Sequence, residues 1–308
     1  MSCSRGWRPA WPGTSPVSAK RLEARAWLVD KPAGPTSHDI VHDIRRRLPR
    51  GTKVGHAGTL DPFATGLLVI LVGRATRLAD RISAHSKSYR ATIRLGARSV
   101  TGDPEGPITP GGPVPDPVAV AAALGEIAGR TSQRVPLYSA VHVDGGRLYE
   151  RARRGEAVEP PERQVRIIGL CLVEYRPEAG ALIIDLEVSK GTYIRQIAVD
   201  LGEVLGCGAY CQALRRTAVG RLRVADAVTP DEVPHVAPVP LNLLLADMPT
   251  VQLAPAEVRA LAHGRVVAHT AAAGEIAVLD ETGALVAIVA ADGECLRPRN
   301  LLVDAEPA

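Results

Sequence analysis

Apolar and polar residues along this chain follow both the two-residue period of strands and the longer period of helices, in an order that predicts a mixed α/β fold. The clearest strand is 88–95, where Tyr89, Ala91, Ile93 and Leu95 fall on one face and polar residues on the other. Further strands are predicted at 26–29, 66–72, 165–173 and 182–188.

Helical spacing is found in four other stretches. One helix follows Thr36 or Ser37, either of which can cap it, and its apolar residues are Ile40, Val41, Ile44 and Leu48. A second helix is predicted at 75–82, and a third runs from Asp116-Pro117 to Ile127. A fourth is predicted after Thr192 as its cap, with Ile194, Ile197 and Leu201 on its buried side.

Glycine and proline mark the breaks between these elements. Residues 99–114 are predicted to be a flexible loop, and 234–240 a proline-rich hinge. Short apolar segments separated by glycine-containing turns follow from Met248 and indicate a small β-domain. We therefore expect a disordered extension at 1–25, a large catalytic domain at 26–246 and a small β-rich domain at 247–308.

Composition places the chain among ordinary globular proteins and suggests a polyanionic partner. Of its 308 residues 46% are hydrophobic, yet the longest apolar run, 284–291, is too short to cross a bilayer, so we expect a cytoplasmic protein. Residues 1–245 hold 33 Lys and Arg against 24 Asp and Glu, whereas 246–308 hold 4 against 9. The larger part is therefore basic, as a nucleic-acid partner would favour.

Five cysteines are scattered at 3, 171, 207, 211 and 295. Cys207 and Cys211 could suggest half of a metal site, but no second Cys or His pair stands at a matching spacing. We expect reduced structural thiols and no metal.

Candidate chemistry is concentrated in residues 51–68. Three glycines there allow turns and close backbone approach, and Asp61 stands directly before Pro62, whose ring stiffens the preceding residue. An ordinary alternative is that Asp61 caps a helix beginning at Pro62.

Two other residues draw attention without deciding a role. Arg195 lies in the first turn of its predicted helix, where the helix dipole disfavours a cation, so a partner carboxylate or phosphate is expected. Tyr89 reads equally well as a core aromatic, and His56 as a hydrogen-bonded loop histidine.

A resemblance separates these possibilities. The run Gly-His-Ala-Gly-Thr-Leu-Asp-Pro-x-Ala-Thr-Gly-Leu-Leu at 55–68 resembles the signature of bacterial tRNA pseudouridine-55 synthases. Lys-Pro-x-Gly-x-Thr-Ser at 31–37, Lys-x-Tyr at 87–89, Lys-Gly-Thr-Tyr-Ile-Arg at 190–195 and Leu-Arg-Arg-Thr at 214–217 are similar to other motifs of that family. Pro-Leu-Tyr-Ser-Ala-Val-His at 136–142 resembles the family's Pro-x-Tyr-Ser-Ala-x-Lys segment with two departures: His142 replaces the usual lysine, and Val135 replaces the first of two prolines.

The resemblance implies a pseudouridine synthase fold with a largely antiparallel central sheet and a C-terminal PUA-like RNA-binding domain. It implies isomerisation of the uridine at position 55 in the tRNA T-arm, a reaction that needs no cofactor. We expect the protein to be a monomer. Asp61 would be the nucleophile or base, oriented and kept ionised by Arg195, while Tyr89 would stack on the uracil. Further substrate-binding residues implied in this way are Lys31, His56, Gly58, Thr59, Tyr193, Leu214 and Arg215. His56 would occupy the space left by the extruded uridine.

Three points stay open at this level. Asp61 could attack C1′ or C6, or remove a sugar proton. The chain could be a non-catalytic RNA-binding or RNA-folding protein, or a hydrolase of N-glycosides acting through two carboxylates. No second acid stands out within the motifs, which speaks against the hydrolase.

Overall fold

A computed structural model of the chain describes residues 24–139, 141–143, 146–154, 156 and 158–303. The predicted extension at 1–25, except its last two residues, and the side chain of His142 lie outside the described residues. The helices are α1 Ser37–Arg46, α2 Ala79–Ala84, α3 Pro117–Ala128, α4 Leu148–Arg153, α5 Ile194–Val204 and α6 Pro255–Ala262.

The strands form one large sheet, a second sheet near the C-terminus and three small ribbons. They are β1 Arg25–Lys31, β2 Val54–Ala57, β3 Thr65–Val72, β4 Lys87–Leu95, β5 Ala97–Ser99, β6 Ile108–Pro110, β7 Ser132–Arg134, β8 His142–Val143, β9 Gly146–Arg147, β10 Glu162–Gln164, β11 Ile167–Arg176, β12 Ala181–Val188, β13 Ala209–Val219, β14 Leu222–Arg223, β15 Thr250–Gln252, β16 Val267–Ala268, β17 Gly274–Leu279, β18 Leu285–Ala291 and β19 Cys295–Leu301.

The large sheet has the order β1-β3-β13-β4-β12-β11, with β2 added to β3 and β14 to β13. Its neighbours pair antiparallel, except β13 with β3, which are parallel over two residues. The fold is therefore mixed α/β with a largely antiparallel central sheet, as the sequence predicted.

Strand β4 shows why the alternating pattern of residues 88–95 was informative. Tyr89, Ala91, Ile93 and Leu95 are buried against a cluster that includes residues of α3 and α5, while Arg90 on the other face is exposed. Burying one face of a strand in this way fixes its register, because a shift by one residue would turn the apolar side chains outward.

Strand β3 is apolar on both faces because both faces are covered. Leu68, Ile70 and Val72 pack with the apolar side of α1. Leu67, Val69 and Leu71 share a cluster with residues of the C-terminal sheet. A continuous apolar run is what a strand buried on both sides requires.

The C-terminal sheet has five strands in the order β15-β17-β18-β19-β16 and its own apolar cluster. It is also tied to the segment after β3. Arg74 and Arg77 donate hydrogen bonds to the carbonyls of Val303 and Leu301, and Arg81 forms an ion pair with Glu275. Together with the shared core, these contacts hold this sheet against the large one.

Several local predictions were wrong. Residues 234–240 do not form a hinge: the Val239 N–H donates to Ala26 O, and the Trp27 indole donates to Val236 O. The loop predicted at 99–114 contains one side of the β5–β6 ribbon. Thr192 does not cap α5, because Tyr193 is the N-cap residue and the Thr192 hydroxyl bonds to Ser189 O.

The helix predicted at 75–82 begins as a 3₁₀ turn over Gly73–Leu78 and becomes α-helical only at Ala79. Within the part of the chain that the structure describes, no helix is long and apolar enough to cross a membrane.

Candidate active site

Asp61 lies in the loop between β2 and β3, and two side chains from the first elements of the chain hold the backbone around it. Lys31 is fully buried, and its ammonium donates to the carbonyls of Pro62 and Ala64 at 3.1 and 2.8 Å. Ser37, at the start of α1, receives the Leu60 N–H at 2.8 Å and donates to Leu60 O. The peptides before and after Asp61 are therefore fixed by the protein itself.

Arg216 holds the other end of the same loop. Its guanidinium, 1% exposed, donates to the carbonyls of Gly58, Thr59 and Leu67. The parallel pairing of β13 with β3 brings Arg216 beside Gly66, where a Cβ would lie 2.2 Å from Arg216 O. Gly66 also has a φ of +104°, so both close approach and backbone conformation require glycine there.

Arg195 meets Asp61 across 134 residues of sequence. Its Nε donates to one carboxylate oxygen at 2.9 Å and its Nη2 to the other at 3.3 Å. The Arg195 side chain is 6% exposed and that of Asp61 is 34% exposed. A two-pronged contact from a buried guanidinium sets the orientation of the carboxylate, while one side of that carboxylate remains open to a ligand.

A second carboxylate, Asp103, holds the far side of the same guanidinium. Its Oδ2 accepts from Arg195 Nη1 at 3.1 Å, its Oδ1 accepts from the Thr101 hydroxyl at 2.5 Å, and its side chain is 5% exposed. Arg195 is thus shared between an open and a closed carboxylate. Burial and then the charges of Asp103 and Asp61 raise the pKa of nearby Glu105. The two aspartates therefore make the electrostatic potential at Glu105 more negative.

The wall beside Asp61 is apolar. Tyr89, 9% exposed, belongs to one buried cluster with Leu60 and Leu214, and Phe63 packs against it. A carboxylate held at the edge of such a wall can meet a planar base that stacks on the tyrosine. The arrangement suits addition to an electrophilic carbon or removal of a proton.

Comparison with known proteins places this geometry in a family. Residues 45–194 match the family described as "TruB family pseudouridylate synthase (N terminal domain)", and residues 195–238 match "tRNA pseudouridylate synthase B C-terminal domain". A protein of Corynebacterium aurimucosum named tRNA pseudouridine synthase B is 41% identical over 276 residues, covering 87% of this chain and 93% of its own length.

The chain belongs to the TruB family of pseudouridylate synthases.

Relatives with the same name occur in other genera. That of Thermobifida fusca is 41% identical and covers 85% of this chain and 92% of its own length; that of Burkholderia mallei is 38% identical and covers 94% and 97%. Among solved structures, an H/ACA RNP bound to a substrate RNA containing 2′-deoxyuridine matches with a TM-score of 0.69 at 22% identity, covering 92% of this chain and 86% of that chain. A Cbf5-Nop10-Gar1 complex matches with a TM-score of 0.68 at 23% identity and the same coverage. At such identities the structural matches support the fold alone.

The Asp61–Arg195 contact joins the two matched regions, because Arg195 is the first residue of the second one. Residues 247–308 lie beyond both regions. The two matched regions therefore cover the Asp61–Arg195 contact and the strands of the large sheet except β1, and they do not reach the C-terminal sheet.

His56 and its neighbours lie on the strand that leads into the Asp61 loop of this TruB-family chain. His56 is partly buried, and its Nδ1 has no hydrogen-bond partner among the described residues. Burial, then the charges of Arg216 and His38, lower the pKa of His56, so its imidazole is neutral at pH 7. Gly58 offers its carbonyl to Arg216, and the Thr59 side chain is exposed.

The remaining predicted residues divide between the site and its support. Leu214 is in the wall, and Tyr193 immediately precedes α5, two residues before Arg195. Arg215 lies on the other face of β13 from Leu214 and pairs with Asp30 at 2.7 Å, so it does not join the groups around Asp61.

Lys31 corrects an expectation: its ammonium is fully buried on three carbonyls and supports the loop rather than contacting substrate. Burial lowers the pKa of this lysine, while the charge of Asp61 opposes that shift.

Sequence reasoning missed the roles of Ser37, Asp103 and Arg216. Ser37 and Arg216 lie inside the quoted motifs, but the sequence indicates only a possible helix cap for Ser37 and no separate role for Arg216. Asp103 lies in the Gly- and Pro-rich stretch whose composition predicts a flexible loop. Among the described residues, no group of three His, Cys, Asp or Glu side chains could hold a metal ion.

Proposed function

We propose that this enzyme converts the uridine at position 55 in the T-arm of tRNA to pseudouridine, with Asp61 acting on the extruded nucleotide. The observation that carries the proposal is the Asp61 carboxylate itself: it is open on one side, fixed on the other by buried Arg195, and placed on a loop held at both ends. The tRNA substrate is supported by the names of relatives that match over most of their length.

The reaction breaks the C1′–N1 bond, turns the uracil and joins C1′ to C5, while C5 loses its hydrogen as a proton and N1 gains a proton. No atom is gained from a co-substrate. Asp61 supplies the carboxylate that attacks C1′ or C6 or removes a sugar proton. Tyr89 stacks on the uracil as it turns, and the Arg195 fork keeps Asp61 aimed throughout.

A paired and stacked uridine cannot reach Asp61, so the nucleotide must leave the stack at a cost of a few kcal/mol. Neutral His56 suits the vacated space, because burying an uncharged imidazole among bases costs less than burying a cation. Gly58 and Thr59 lie beside it at the mouth of the loop.

Asp103 does not turn this site into a two-carboxylate hydrolase. Its side chain is 5% exposed and is engaged by Arg195 and Thr101, so it cannot reach a water on a sugar. Base excision would need a second accessible acid or base. Glu105 is exposed and near Asp61, and its pKa is raised by burial and by the charges of Asp103 and Asp61, so product analysis must separate the two reactions.

The C-terminal β-domain, proposed at 247–308 beside the catalytic domain at 26–246, is assigned to RNA binding. We further propose that the enzyme is cytoplasmic and that it works as a monomer. Light scattering on the purified protein with and without tRNA would test the monomeric state. A second protein copy per tRNA in the complex would contradict it.

Product analysis tests the function directly. Unmodified tRNA transcript is incubated with the protein, digested to nucleosides and separated. We expect one pseudouridine per tRNA, with chain length and mass unchanged. Free uracil would show a hydrolase, and unchanged tRNA that nevertheless binds would show a binding protein.

A further inference from the structure

Gln133 is a buried polar side chain at the centre of the three-residue strand β7, and none of the motifs includes it. It is 6% exposed. Its Oε1 accepts the Tyr193 N–H at 2.8 Å, and its Nε2 donates to Tyr193 O at 3.0 Å. The primary amide thus makes both hydrogen bonds with one backbone residue, as a residue of an adjacent strand would.

The bonded peptide groups are those that begin α5. The first N–H groups of a helix have no partner within it, and Tyr193 supplies no side-chain cap. The Tyr193 carbonyl already accepts the first bond of the helix, from Ile197 N at 3.2 Å, and Gln133 takes its second lone pair. Gln133 therefore fixes the peptide that stands two residues before Arg195.

The same segment also holds the Arg195 side chain. Tyr138 O, five residues beyond Gln133, accepts from Arg195 Nη2 at 3.2 Å. Strand β7 is paired with β10, and the next residue, Val135, is buried and bonded to Pro161 O. Residues 133–138, which begin in β7, thus contact the start of α5 at its backbone through Gln133 and at the Arg195 side chain through Tyr138.

Packing does not fix this junction on its own. A cavity of about 540 Å³ lies between the ribbon and α5, and Gln133, Tyr138 and Arg195 are among its lining residues. Polar contacts bridge this space: the hydrogen bonds of Gln133 and Tyr138 hold the start of α5, and the Arg130–Asp200 ion pair at 3.0 Å holds it farther along.

We propose that Gln133 is a positioning residue for the isomerisation: it sets the first turn of α5, through it the Arg195 guanidinium, and through that the direction of the Asp61 carboxylate. The inference rests on the proposed function. Gln133 has no contact with the Asp61 carboxylate, so its effect should fall on the chemical step and leave tRNA affinity nearly unchanged.

Two substitutions test it. Gln133→Met keeps the length of the side chain and removes both hydrogen bonds. Gln133→Glu keeps the acceptor toward Tyr193 N, but an ionised carboxylate would face Tyr193 O without a proton to donate. When protonated, the same carboxyl donates to Tyr193 O and restores the pair, and burial raises the pKa of the introduced acid toward the assay range.

Gln164→Glu is the matched control, because it makes the same chemical change at an exposed position on the partner strand β10. Single-turnover rates on C5-tritiated tRNA, with enzyme in excess, are compared between pH 5.5 and 8.5, with tRNA Kd measured in parallel.

We expect Gln133→Met to slow the single-turnover step by about 10- to 100-fold, the size of effect that slight misplacement of reacting groups produces, with Kd within about threefold. The rate of Gln133→Glu, divided by that of wild type, should rise as pH falls, whereas this ratio for Gln164→Glu should stay flat.

A wild-type rate in Gln133→Met, or equal pH dependence in Gln133→Glu and Gln164→Glu, would overturn the inference while leaving the proposed function intact. If Gln133→Met does not fold, Gln133→Glu decides, since it is compared with itself at two pH values. Unfolding of both variants at every pH would make Gln133 a folding residue and also overturn it. No tritium release by wild type would overturn the proposed function and this inference together.

Discussion

Replacing Asp103 with asparagine should impair the reaction although Asp103 cannot touch RNA. The amide keeps the shape of the carboxylate but removes its charge. In the native protein Arg195 Nη1 donates to Asp103 Oδ2 at 3.1 Å, and the substitution weakens this charged hydrogen bond. Both side chains are at most 6% exposed, so water cannot replace the lost interaction.

The magnitude follows from the kind of bond lost. A hydrogen bond to a charged group contributes about 1.5–3 kcal/mol. Losing most of that should lower Tm by about 2–5 °C in a chain of this size. The guanidinium would turn toward its remaining carboxylate partner, Asp61, and pull it away from the reacting carbon. Misplacement of this kind costs about 100-fold in rate.

The assay is single-turnover pseudouridine formation at saturating enzyme, with Tm and tRNA Kd measured on the same preparations. Asp185→Asn is the matched control. Asp185 also forms an ion pair with an arginine, since Arg90 Nη2 lies 2.7 Å from its Oδ2, but this pair is on an exposed face of the sheet. An exposed pair contributes about 0–1 kcal/mol, so this variant should keep its rate. A wild-type rate in Asp103→Asn would refute the role given to the shared guanidinium.

Three further outcomes follow from the packing. Gly66→Ala should destabilise strongly in urea unfolding, because its Cβ would lie 2.2 Å from Arg216 O. Gly293→Ala has a φ of +107° and nothing within 4 Å, so it should cost only the backbone strain of about 1–3 kcal/mol. Equal midpoints would contradict the steric argument. Deleting residues 248–308 should give insoluble protein rather than a weakened binder, because Leu71 and Leu78 would lose apolar partners such as Ile288; a soluble, folded truncation would show that the shared core is dispensable. Burial lowers the pKa of Lys87 from its ordinary value of 10.5 to about 8. Between these values the unfolded chain binds more protons at this residue, so the free energy of unfolding of wild type relative to Lys87→Met should rise from pH 8 to 10.5; a difference that does not change with pH would contradict this.

Patterns that depend on local periodicity were readable from the sequence. The buried face of β4, the cap and proline that begin α3, and the continuous apolar run of β3 all appear where predicted. Each is decided by which side chains can be removed from water along a single element, and the sequence carries that information directly.

Contacts between distant segments were not readable in this way. Spacing indicated only that Arg195 needed an anionic partner; that the partner would be Asp61 came from the resemblance. Asp103 lies in a segment whose composition predicted a loop, and Gln133 in one for which the sequence predicted no role. Their roles arise only when β7, α5 and the turn after β5 meet.

Residues 234–240 show the opposite error. Their prolines suggested a hinge, yet their backbone and apolar side chains complete the core beneath Trp27. Composition reports how a segment behaves alone, and tertiary contacts overrule it.

The central claim is that the Asp61 carboxylate, aimed by Arg195, isomerises uridine 55. The most direct test is release of tritium into water from tRNA labelled at uracil C5, with wild type and Asp61→Asn compared at matched tRNA occupancy. Wild type should release about one equivalent per tRNA from the target site and none when uridine 55 is replaced by cytidine, while Asp61→Asn should bind the same tRNA and release none. Release by Asp61→Asn at more than a few per cent of the wild-type rate, or undiminished release from the cytidine-substituted tRNA, would contradict the account.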